Sequence, residues 1–104
     1  MSLPTQPDLA ELSSRLAADN ARVAKYADQL PGRVDQILEA LQSEDWPEIR
    51  RLSEYLSEAS KAYGYETLHQ RAQRVCDEMD GESNQTEVRR RIVRLIGACG
   101  SARP

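Results

Sequence analysis

Between residues 49 and 63 the apolar side chains fall at Ile49, Leu52, Leu56, Ala59 and Tyr63, at intervals of 3, 4, 3 and 4. On a strand this spacing would scatter them over both faces. On a helix of about 3.6 residues per turn it gathers them into one narrow seam. A seam of this kind is stable only when other helices cover it, so the segment calls for helical neighbours. Three further segments supply them. Val23, Ala27, Leu30, Val34, Ile37, Leu38 and Leu41 form one stripe. Leu68, Ala72, Val75, Cys76 and Met79 form a second, over about 66–80, and Val88, Ile92, Leu95, Ile96 and Cys99 a third, over about 86–99.

The punctuation agrees with the stripes. Pro47 suits the first turn of a helix and Gly64 its end. Gly81-Glu-Ser-Asn84 reads as a loop, and residues 101–104 are expected to fray. Pro31-Gly32 falls inside the first stripe, which keeps its phase across the pair; the expectation is a kinked but continuous helix. Ahead of it, Thr5-Gln-Pro-Asp8 has the spacing of a capping box, and Leu9, Leu12 and Leu16 mark one face of a short helix, with a break at Asp19-Asn20. The predicted fold is therefore all-α: a single domain over 1–104, with a short N-terminal helix (6–19) capping an up-down-up-down four-helix bundle core (21–100).

Composition narrows the function. The chain has 104 residues, no Phe, 39% hydrophobic and 30% charged residues, which suits a helical domain and shows no apolar run near the ~20 residues of a membrane span. No signal peptide is visible, and Met1-Ser2-Leu3 carries no structural weight. A net charge of −3 argues against a nucleic-acid partner, and Arg89, Arg90, Arg91 and Arg94 read as a solvated helix face. Cys76 and Cys99 lie on apolar faces without metal-ligand spacing, so neither metal, cofactor nor redox chemistry is expected, and a reducing cytoplasm is the default setting. There is one histidine, His69, and no phosphate loop, HExxH or GxSxG. The chain is not expected to be an enzyme of ordinary type.

Two stretches carry a resemblance. "YADQLPGRVDQILEALQSEDWPEIRRL", residues 26–52, has an aromatic, Leu-Pro, an Arg two residues on, a spaced apolar run and an acidic-Trp step. "AYGYETL", residues 62–68, has a Tyr-Gly-aromatic turn. In order and spacing these are similar to the core of histidine-containing phosphotransfer (HPt) domains. The resemblance covers about residues 23–99. It implies a four-helix bundle that relays a phosphoryl group between receiver domains, with an exposed acceptor His in a His-x-x-Lys-Gly motif on the second core helix. Counting back from Tyr63-Gly64, the His position falls on Glu54, the Lys position on Ser57 and the Gly position on Glu58. All three depart from the motif. Glu54 lacks the neutral nucleophilic nitrogen of imidazole, Ser57 cannot neutralise phosphate, and Glu58 adds bulk and charge where the family leaves room.

Helix geometry places Glu54 opposite the seam at the centre of the solvent face, flanked by Arg50 and Glu58. The preferred reading is an HPt-like module that does not accept phosphate and binds a receiver domain or a histidine kinase through Arg50, Arg51, Glu54, Tyr55, Ser57, Glu58 and Lys61. The ordinary reading of Glu54 and Glu58 is a surface pair set, Arg50–Glu54 and Glu58–Lys61, stabilising the helix by roughly 0.2–0.5 kcal/mol each. Two rivals stand beside the preferred reading. One is an active phosphotransfer protein using a displaced residue such as His69, with Arg71 and Arg74 as phosphate holders. The other is a scaffold or dimerisation bundle unrelated to phosphorelays. His69 itself reads first as a boundary residue, partly packed and hydrogen-bonded.

Overall fold

A computed structural model describes residues 9–82 and 84–102, with side chains from Leu12 onward. The described residues form four helices: α1 (Leu9–Gln42), α2 (Trp46–Ala62), α3 (Glu66–Asp80) and α4 (Gln85–Gly100). Each packs on its chain neighbours, α4 closes back onto α1, and the α2–α3 interface is the most extensive. The four apolar faces meet in one core containing Leu30, Ile37, Ile49, Leu52, Leu56, Leu68, Val75, Ile92 and Leu95, all 3% exposed or less.

The helix ends follow from their residues. Asp45 caps α2, its carboxylate accepting from the Glu48 amide at 3.2 Å, and Pro47 occupies the first turn. Asn84 caps α4 in the same way through the Glu87 amide at 2.9 Å. Two helices end in the same device, a paired closure by backbone amides over a residue of positive φ. At the end of α2 that residue is Gly64, φ +82°, with Tyr65 N–H donating to Ser60 C=O at 2.8 Å and Gly64 N–H to Lys61 C=O at 3.3 Å. At the end of α1 it is Glu44, φ +53°, with Asp45 N–H donating to Ala40 C=O at 2.8 Å and Glu44 N–H to Leu41 C=O at 3.1 Å. Glycine adopts this conformation without steric cost, whereas glutamate does not.

Three expectations are corrected. Among the described residues no separate short N-terminal helix is present: residues 9–19 are the opening turns of α1, which runs unbroken for 34 residues, and the remainder of the expected 6–19 helix, with Thr5–Asp8, lies outside the described residues. Asp and Asn inside a helix cost only tenths of a kcal/mol, less than starting a new helix. Leu38, placed in the core stripe, is 41% exposed, because Ile37 takes the inward position and Ala40 fills the next turn. Of the residues expected to fray, the two described, 101 and 102, are tied down: Ser101 N–H and Oγ both donate to Gly97 C=O, and Ala102 packs against the core. The expected continuity at Pro31 is seen: it is an exposed residue inside α1, and the helix runs on through it.

The first part of α1 has no neighbour. Every residue from Leu12 to Arg22 is exposed, and burial begins at Val23. Tyr26 meets the far end of α2, with its hydroxyl 2.6 Å from Ser60 Oγ and its ring stacked on Tyr63 at 5.0 Å. The residues before it therefore project past the Tyr63-Gly64-Tyr65 turn, and the molecule is 68 Å long but only 25 × 20 Å across.

Candidate functional site

The face that the sequence marks out is the solvent side of α2. The seam residues Ile49, Leu52 and Leu56 are buried to 1% exposure or less, which turns Glu54 outward, its side chain 52% exposed. Arg51, Glu58 and Lys61 are exposed beside it, Tyr55 is 40% exposed, and Arg50 is half-buried.

Arg50 organises this face. Its Nε donates to Glu54 Oε1 at 2.9 Å, as the i,i+4 spacing suggested. Its two terminal nitrogens reach across to α3 and grip both carboxylate oxygens of Asp80, Nη2 to Oδ2 at 3.0 Å. One guanidinium thus serves two carboxylates on two helices, with the planar fork engaged end-on and its Nε side-on. Hydrogen bonding from Arg50 holds the Asp80 carboxyl below the usual carboxylate range, and the same partners push the Arg50 guanidinium up. Arg51 pairs separately with Glu48, whose carboxyl it lowers. The expected Glu58–Lys61 pair is not among the ion pairs of the described residues. Arg33 of α1 lies over the Tyr55 ring, 4.4 Å from its centre, so Tyr55 is tied to the α1 flank.

Ser57 is the correction on this face. It is 4% exposed and points into the groove between α2 and α3. Position 57 lies on the flank where α3 leans against α2, and there the buried surface is wider than the apolar seam: Ser53, Ser57 and Ser60 are all buried. His69 of α3 enters the same groove, with Nδ1 2.8 Å from Ser57 C=O and 3.1 Å from Ser57 Oγ. A carbonyl can only accept, so Nδ1 carries a proton and donates to it. The Ser57 hydroxyl donates onward to Gln73 Oε1 at 2.9 Å, and Gln73 Nε2 to Asp77 Oδ1 at 3.1 Å. A chain of hydrogen bonds therefore runs from His69 through Ser57 and Gln73 to Asp77 along the groove. His69 is partly buried and hydrogen-bonded, the boundary role read from its position. Arg71 and Arg74 are exposed and lie about 200° and 140° around α3 from His69, away from its face.

Sequence reasoning missed Asp80, Gln73 and the Tyr26–Ser60 hydrogen bond. The available signal was the serine spacing 53, 57, 60, which repeats the 4,3 rhythm of the seam one residue out of step. Both thiols are buried, and desolvation pushes Cys76 and Cys99 up to about 11, so they stay protonated and inert near neutral pH. Among the described residues no three His, Cys, Asp or Glu side chains are grouped to hold a metal ion, and no helix is long and apolar enough to cross a membrane. The α2 face offers ion-pair and hydrogen-bond chemistry, with one guanidinium shared by two carboxylates in the Glu54–Arg50–Asp80 unit, which stays net negative. No protein-family model, no curated protein and no solved structure matches the chain.

Proposed function

We propose that this chain is an HPt-like module of up-down-up-down form that docks on receiver domains of bacterial-type two-component signalling without accepting phosphate, and so acts by binding rather than as an enzyme. The setting that goes with this reading is the cytoplasm. The sequence order of the Leu-Pro helix, the acidic-Trp step and the Tyr-Gly-aromatic turn supports it. The observation that carries it is the state of Glu54: the side chain at the acceptor position stands at the centre of the exposed α2 face and is held there by Arg50, itself clamped to Asp80. A carboxylate fixed in place can complement a metal-loaded acidic receiver pocket, with Mg²⁺ between the like charges. Ser57 leaves the docking set, since its side chain serves the α2–α3 groove. The remaining contacts are Arg50, Arg51, Glu54, Tyr55, Glu58 and Lys61.

The test is an NMR titration of the labelled chain with receiver domains, with and without Mg²⁺. Shifts clustered on the exposed residues of 50–61 that depend on Mg²⁺ and weaken in Glu54→Ala are expected. Affinity unchanged by Glu54→Ala would sink the proposal, as would binding to no receiver. The displaced-acceptor alternative requires phosphate on His69 Nε2. Arg71 and Arg74, the holders it would use, lie away from the His69 face, and acid-labile phosphate on the chain after incubation with a phosphorylated receiver would be its signature.

A further inference from the structure

Leu16, Val23, Leu30 and Ile37 occupy one heptad position of α1. The last two are buried, at 3% and 0% exposure; Val23 is partly buried, and Leu16 is 63% exposed. Leu12, at 37%, lies on the same line of the helix. The core stripe of the bundle thus runs on, in phase, along a projecting helix where none of the described residues covers it. Residues 9–22 extend for about 21 Å at the rise of an α-helix.

We propose that the occupant of this face is a second copy of the chain, bound with its α1 reversed, so that the projecting segments overlap and the two bundles lie at opposite ends. The charge pattern selects this arrangement. Asp19 lies about 40° off the centre of the stripe, where a partner helix would cover part of its carboxylate. A second copy running parallel in register would bring Asp19 against Asp19 at the seam. Reversal about residue 17 brings Arg15 of each copy against Asp19 of the other, so the exchange is satisfied twice by symmetry. The same reversal brings Leu12 of each copy within one residue of Val23 of the other along the apolar seam. Overlap stops where Tyr26 enters the core. The seam is short, so the association is concentration-dependent. The inference does not depend on receiver binding.

The experiment is sedimentation velocity on the full chain across concentration, with small-angle scattering of the associated form. The wild type is expected to pass from monomer to dimer, with a longest dimension well beyond the 68 Å of one chain. Leu12→Lys with Leu16→Lys should be monomeric while keeping the wild-type thermal melt, since neither residue contacts the bundle. Arg15→Glu alone and Asp19→Arg alone should each weaken association by roughly tenfold, and an equimolar mixture of the two should restore it. Within each variant helix positions 15 and 19 carry like charges, so recovery in the mixture reports pairing between chains only. A chain monomeric at ~1 mM would overturn the proposal, even if an added receiver shifted residues 12–22. So would a dimer no longer than one chain, a mixture that fails to recover, or a Leu12→Lys/Leu16→Lys variant that still dimerises.

Discussion

Residues 12–22 and 23–42 are two parts of one helix, with one periodicity and similar composition, and they meet opposite fates. The second part supplies Tyr26, Leu30, Ile37 and Ala40 to the core, while the first is exposed at every position. The difference lies in the other helices. At the rise of an α-helix, α1 is about 51 Å long and α2 about 26 Å, so only half of α1 can find cover within the chain. Periodicity specifies which face of a helix is to be buried. It does not say by what.

The largest expected effect comes from the covered half. Ile37→Ala, at a position with no solvent exposure, should lower unfolding stability by about 2–5 kcal/mol in a denaturant melt. Next is Tyr26→Phe, which removes a buried hydroxyl and strands Ser60; a loss of about 1–2 kcal/mol is expected. Tyr26 also gives the buried half a pH signature. Burial pushes its phenol up from the usual value of 10.0, against the lowering effect of the Ser60 hydrogen bond. The folded state thus favours the neutral phenol. The contribution is fully present below pH ~10 and is lost as pH rises from there through the higher folded value, because the unfolded tyrosine ionises first. Alkaline melts of the wild type should show this loss and those of Tyr26→Phe should lack its share.

Smaller effects sharpen the contrast from the two ends of α1. At the C-terminal end, Glu44→Gly relieves the left-handed backbone and forfeits the exposed Arg89 pair, whereas Glu44→Ala forfeits the pair alone. The Gly variant should therefore be more stable than the Ala variant by about 1 kcal/mol, read from their melts. At the N-terminal end, Leu16→Ala should shift the stability of dilute monomer by no more than about 0.5 kcal/mol. A loss comparable to that of Ile37→Ala would mean that the projecting segment folds back onto the bundle, and the comparison would collapse.

These contrasts show which parts of the structure could be read in advance. The bounds of α2, α3 and α4 were legible, though the capping by Asp45 and Asn84 was not read in advance: Pro47 suits a first helical turn, Gly64 a helix end, and Gly81-Glu-Ser-Asn84 a loop. The continuity of α1 was not, because Asp19-Asn20 has the chemistry of a cap, and what decides against a break is the small cost of leaving both inside a helix already formed. At the site, the exposure of Glu54 followed from the angle between it and the seam. The burial of Ser57 did not follow, since it depends on which flank α3 leans against and on His69, twelve residues away on another helix. Asp80 as the anchor of Arg50 was hidden for the same reason: nothing local relates positions 50 and 80.

The burial of Ser57 bears on any attempt to install a phosphoryl acceptor in this chain. The three positions aligned with the HPt motif do not form a transplantable cassette. Glu54→His and Glu58→Gly would alter only exposed sites, and the first would leave Arg50 to Asp80 alone. Ser57→Lys would have to thread an ammonium out of a groove that His69 and Gln73 already fill, and would deprive both of their hydroxyl partner. Placing a lysine at position 57 is therefore a redesign of the α2–α3 junction, in which positions 69 and 73 must change along with it.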